Sequence, residues 1–134
     1  MTNSLNDTAL LVARILLGAL FVMAGIGKLG DVAGFAGYMA SGGVPAFLAW
    51  PVIAFEIIGG LALIVGLQTR VAALALGAFS LVSGAMYHFV PADQMQMTMF
   101  LKNLALTGGY VAMAVAGAGR FSVDAWTGGK TAAA

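Results

Sequence analysis

Four mostly apolar runs, separated by short polar breaks, fill this 134-residue chain. A helix rises 1.5 Å per residue, so about 20 apolar residues cross the ~30 Å hydrocarbon core of a bilayer. The runs predict spans over residues 8–28, 45–67, 71–90 and 99–118. Only 8% of the residues are charged and 61% are hydrophobic, whereas a soluble domain carries about 25% charged residues. A soluble bundle would also need a polar outer face on every helix. Here the helices are apolar nearly all round, which suits lipid outside. The expected fold is all-α: an integral membrane four-helix bundle, one domain over residues 1–134, with the lipid bilayer as its first partner.

Inside the second run, PVIAFEIIGGLALIVG, stands one carboxylate, Glu56. An acid at mid-depth costs roughly 2.5–3.5 kcal/mol on insertion scales, so it turns to the bundle interior and takes a partner. Arg14, the one charge deep in the first run, is the expected partner. Counted from opposite faces, the two differ in depth by about one turn, ~5 Å. The alternative for Arg14 is to snorkel to the nearer surface.

The stretches between spans are short. Residues 30–44, GDVAGFAGYMASGGV, are too few and too rich in glycine to cross a membrane. Phe35, Tyr38 and Met39 are spaced to share a helical face, which predicts a short interfacial helix broken at Gly42 and Gly43. Pro51 is expected to kink the second span. The N-terminal stretch lacks a basic leader region and reads as a retained first span. Four spans put both termini on one side. Arg70, Arg120 and Lys130 lie there, with Arg14 nearest to it, which favours the cytoplasm. Gly18 and Gly25, Gly59 and Gly66, and Gly77 and Gly84 are each nearly two turns apart, so each pair lies on one face for close helix packing.

Several function classes fall away. A net charge of +1 with no basic stripe argues against nucleic acid. The absence of cysteine removes disulfides, thiolate catalysis and Cys-ligated clusters. What remains is a set of polar groups converging from four helices: Arg14, Lys28, Glu56, His88, Lys102 and Asn103. Lys28, His88, Lys102 and Asn103 cluster towards one face. Such convergence predicts a small-molecule pocket, with His88 and Lys102 binding a quinone carbonyl or an anion and Glu56 carrying a proton. Each residue also has a structural reading: snorkelling lysines, an interfacial histidine, an interhelical amide, and a register-fixing ion pair. A second chemistry lies in Met95, Met97 and Met99, which with His88 offer soft ligands suited to Cu(I). In an extended segment the three sulfurs would share one side; the alternative is interfacial packing.

These residues, taken in order, resemble the DoxX family of membrane proteins. The matching pieces are Arg14 and Lys28 in RILLGALFVMAGIGKL, Glu56, Gly59, Gly60 and Arg70 in EIIGGLALIVGLQTR, and His88 in YHF. They continue with Phe100, Lys102, Asn103, Leu104 and Gly108 in MFLKNLALTGGY, and Gly119, Arg120 and Asp124 in GAGRFSVD. The resemblance covers about residues 8–125. It implies a four-helix protein of the bacterial inner membrane. Some members are similar to the DoxD-type or DoxA-type components of thiosulfate:quinone oxidoreductase, and others are associated with redox or oxidative-stress systems. The resemblance therefore favours a membrane subunit of a quinone-linked redox system, with a quinone or a small sulfur or phenolic compound as ligand and other redox or membrane subunits, or further copies of the chain, as partners. The sequence shows no evident flavin, haem or iron–sulfur site for independent catalysis. An assembly or scaffold factor, and a small transporter or copper-handling protein, stay open as alternatives.

Overall fold

The structure, a computed structural model, describes residues 2–128. The elements are α1 (Thr2–Lys28), α2 (Val32–Ser41), α3 (Ala49–Val65), entered through a 3-10 turn at Ala46–Leu48, α4 (Thr69–Tyr87), α5 (Gln94–Ala116) and α6 (Val123–Gly128). Among the described residues, four helices are long and apolar enough to span: α1, α3 with its 3-10 turn, α4 and α5. The protein is thus an all-α integral membrane four-helix bundle. α1 packs along α3 and α4 along α5, while α3 meets α4 and α1 meets α5 to close the ring.

The helix ends differ from expectation for identifiable reasons. α1 starts at Thr2, six residues early, because Asp7 accepts the Arg120 N–H at 3.0 Å and so ties the polar first turns to the C-terminal segment. α5 starts at Gln94 rather than at 99, because the Asp93 carboxylate caps it, accepting the Gln96 N–H at 3.1 Å. The expected loop 91–96 is correspondingly shorter. Pro51 sits in the first turn of α3, where its missing N–H would have had no helical partner, so it need not break the ladder. α2 forms where a short helix was expected. Asp31 caps its start through Gly34 N–H at 2.9 Å, and Gly42 and Gly43 (φ +86°) end it.

The α1–α3 contact is made through backbone. A Cβ on Gly60 would lie 2.6 Å from the Gly18 carbonyl oxygen, and one on Gly18 would lie 2.6 Å from Ile64 Cγ1. Gly25 meets α3 one level along, beside Glu56 and Ile57. The packing glycine of α3 is therefore Gly60; its neighbour Gly59 faces only the Leu76 side chain of α4. Gly66 serves as the left-handed cap of α3 (φ +75°), a conformation that a Cβ disfavours. On the other side, Gly77 lies against Tyr110 and Gly84 against Asn103.

At mid-bundle these approaches bury Phe21, Leu63, Leu76 and Tyr110. Phe21 meets the rings of Phe79 at 5.7 Å and Tyr110 at 5.8 Å, and Phe55 meets Phe79 at 5.3 Å. Tyr110 Oη donates to the Leu17 carbonyl at 2.8 Å, tying α5 to α1.

Gly60→Val should destabilise the bundle by about 2–3 kcal/mol, because its branches meet backbone that cannot move aside. Gly59→Ala should cost clearly less, since Leu76 Cδ2 at 3.2 Å is the end of a flexible side chain. Unfolding in mixed micelles would check the order; equal losses would contradict the assigned register.

Candidate functional site

The polar residues of the bundle divide between its two ends. At the end holding the termini, Arg14 is completely buried. Its guanidinium donates to the Ile64 carbonyl at 2.8 Å and to the Phe121 carbonyl. Arg14 does not pair with Glu56. It stands opposite Ile64, eight residues and thus ~12 Å along α3 from Glu56. The glycine-set register accounts for the difference: it puts Arg14 beside Ile64, one residue from the end of α3, so the depth expected from residue 8 placed it too close to the level of Glu56.

The partner segment is the C-terminal motif. Asp124 accepts the N–H groups of Gln68 at 2.8 Å and Thr69 at 2.9 Å, and its own N–H donates to Gly66 O at 2.8 Å. It thereby caps α4, whose preceding residue Gln68 has φ +48°. Arg70 donates to the Ala114 and Val115 carbonyls, each at 2.7 Å, covering the end of α5. Arg14, Gly66, Arg70, Gly119 and Asp124 thus form a clamp satisfying helix ends. Desolvation pushes the Asp124 carboxyl up, but the Thr69 and Gln68 N–H groups and the Arg14 charge outweigh it, leaving it below its ordinary range.

The opposite end is open. Lys28 Nζ lies 2.9 Å from Glu56 Oε2, and it also sits 5.1 Å from the centre of the Phe35 ring. Glu56 is 2% exposed, so its desolvation is offset by direct pairing. Lys28 closes α1, and its side chain reaches back along α3 to Glu56. Beside this pair lies a cavity of about 330 Å³, walled by α1, α2, α3 and α4. Phe79 and Val52 supply apolar wall, while Lys28, Glu56, Ser83 and His88 supply polar atoms. Glu56 Oε1 has no hydrogen-bond partner among the described residues. α2 covers one side of the cavity with Phe35, Tyr38 and Met39. The Tyr38 and Tyr87 rings stack at 4.9 Å, and Tyr87 Oη donates to the Met39 carbonyl at 2.8 Å. Burial, with Tyr87 as a lesser cause, holds the Tyr38 phenol above its ordinary range. His88 Nδ1 faces Gln96 Oε1 at 2.7 Å, so Nδ1 carries the proton in this pair and a neutral ring leaves Nε2 as acceptor.

Of the six residues expected to converge, the cavity collects Lys28, Glu56 and His88. Lys102 and Asn103 lie more than two turns into α5, because that helix starts early. Lys102 is exposed and does not line the cavity, while Asn103 is buried and donates to the Ser80 carbonyl at 3.0 Å. Met95, Met97 and Met99 are helical, so residues two apart diverge around the axis and do not align as in an extended segment. Met95 is 71% exposed. Sequence reasoning missed Tyr87 and Phe79 as wall residues; Tyr87, an aromatic at the end of a span, was the available signal. Lys130 lies outside the described residues.

The DoxX family model matches residues 9–89. The chain is 42% identical to the inner membrane protein YqjF of Escherichia coli K12, over 91% of this chain and 94% of that one. It is 30% identical to the inner membrane protein YphA of the same organism, over 86% of this chain and 87% of that one. It is 32% identical to "Putative oxidoreductase CatD" of Bacillus subtilis 168, over 52% of each chain. No solved structure matches it.

The family match ends before the second half of the clamp, whose strength has a pH signature. A carboxyl held below its unfolded value contributes stability above that value and loses it as pH falls through the folded one. The Asp124 contribution should therefore be complete at neutral pH and fade as pH falls below about its ordinary value of 3.8. Asp124→Asn should melt lower than the natural protein at pH 7, and the gap should close on acidification. A gap independent of pH would assign Asp124 no charge-dependent role.

Proposed function

This chain belongs to the DoxX family, and from that premise we propose that it is an inner-membrane subunit of a quinone-linked redox system. It binds a neutral, oxygen-bearing ring compound in the cavity at Lys28 and Glu56. The observation that carries the reading is a nearly fully buried carboxylate on an apolar cavity wall, with one oxygen held by Lys28 and the other without a partner. Glu56 lines the cavity, so a hydrogen-bond donor held there can reach the carboxylate.

The pair is neutral overall, which disfavours a charged ligand. Lys28 has N–H groups for a ligand carbonyl, and Glu56 Oε1 accepts from a ligand hydroxyl. Those are the two faces of a quinone and its quinol. Quinol oxidation releases protons with the electrons; Glu56 takes a proton at Oε1, and His88 Nε2 at the cavity edge passes protons to water. Phe35 and Phe79 supply flat apolar surface for the ring. The two electrons released go to a redox-active acceptor in a partner subunit. The relatives named as inner membrane proteins support the location, and the relative named as an oxidoreductase supports the redox class. In this arrangement α2 lies along the interface at the cavity end, and both termini lie in the cytoplasm.

Native mass spectrometry on gently extracted protein, with identification of co-purifying small molecules, tests the reading. A quinone should accompany the natural protein. His88→Ala, which removes a wall residue and no direct bond to the ligand, should weaken its binding about two- to threefold. Glu56→Gln and Lys28→Met should weaken it further, and Lys102→Ala should leave it unchanged. Protein that carries no quinone, and takes up none when it is added, would sink the proposal in favour of an assembly or scaffold role.

A further inference from the structure

Two residues of the cavity wall do not face a closed pocket. Val82 and Met86 line the cavity, yet they are 54% and 47% exposed. They stand four residues apart on α4, so one strip of that helix is both wall and outer surface. Val82 lies five residues before the end of α4, ~7.5 Å inside the span. The opening beside it is therefore at hydrocarbon depth. Below the cavity, α3 and α4 are held together by Phe55 on Phe79 and by Gly59 facing Leu76. Above those contacts the two helices part, with Val52 and Val82 on opposite sides of the gap. The side facing away from the membrane is covered by α2, through the stack of Tyr38 on Tyr87 and the Tyr87–Met39 hydrogen bond.

The cavity's size also limits what it can hold. About 330 Å³ is at the low end of small-molecule sites, which run from about 300 to 1,000 Å³. It has room for a substituted ring and none for a long chain beside it.

We propose that the site takes an amphiphile: a single oxygen-substituted ring against Lys28 and Glu56, with a hydrocarbon tail leaving between α3 and α4 past Val52 and Val82. This rests on the ring-binding reading above and adds the ligand's class and route. The ligand enters sideways from the bilayer, and its tail stays in lipid. Val82 sets the width of the exit and so determines which tails are accepted.

The test uses two probes, a methoxy-substituted benzoquinone without a side chain and the same ring carrying a decyl chain. Binding of each to the protein in lipid nanodiscs is measured for the natural chain, Val82→Trp and Leu81→Trp. Leu81 is 44% exposed and lines no part of the cavity, so it controls for a bulky residue on the lipid-facing surface. Both probes should bind the natural protein. Val82→Trp should weaken the tailed probe about tenfold and leave the tailless one within about twofold. Leu81→Trp should change neither. If Val82→Trp affects both probes equally, or neither, the tail route is wrong while ring binding stands. If neither probe binds the natural protein, ring binding fails and the tail route falls with it. Met86→Trp repeats the comparison should Val82→Trp not accumulate.

Discussion

The approach of backbone to backbone at Gly18 and Gly60 sets where every charge in this bundle can go. With no side chains between them, α1 and α3 meet at one register, and sliding by a turn would drive Ile64 or Val22 into the opposite backbone. In a bilayer the lipid tails are as apolar as the helices, so association rests on such contacts and on polar links. The register carries Arg14 to the Ile64 end of α3 and brings Lys28 within reach of Glu56. Two charges in one helix thus serve opposite ends of the molecule.

Those ends resolve the burial of charge differently. Arg14 is surrounded by carbonyls that helix ends leave free and by the nearby Asp124. Its two terminal nitrogens fill acceptors that the fold itself creates, while Nε is buried without a partner among the described residues; the bond to Phe121 also helps to hold the C-terminal segment on the bundle. At the other end Lys28 meets Glu56 through one oxygen, which leaves acceptor capacity and open space. A wholly structural ion pair is better with its remaining lone pairs satisfied. The two ends thus differ in what surrounds the charge: backbone carbonyls and a capping carboxylate at one, a salt bridge beside a cavity at the other.

Much of this was legible in the chain before its structure. Span number follows from runs of apolar residues that only lipid accommodates, and the motif from EIIGG to GRFSVD carries the family. Lys28, Glu56 and His88 were legible as pocket residues because polar groups stand out at span ends and at mid-depth. The Arg14 partner was hidden, because pairing depends on the register of α1 against α3, which the Gly18–Gly60 contact sets, and on a carbonyl over a hundred positions away. Asn103 and Lys102 were misplaced by the early cap at Asp93, which also turned the methionine segment into helix. One error comes from a glycine-set register and the other from a capping side chain, neither of which hydropathy weighs.

The cavity follows from the same economy of contacts. α3 and α4 approach closely only as far as Gly59 and the Phe55–Phe79 pair. Beyond that level α3 gives way to a 3-10 turn and a proline in its first turn, with no glycine there to draw α4 in. The gap is then filled from above by α2, whose hold on the bundle includes Met39, one tyrosine stack and one hydrogen bond. Lys28 touches both the Glu56 carboxylate and the Phe35 ring on α2. One ammonium group thus joins the cavity wall to the helix that covers it.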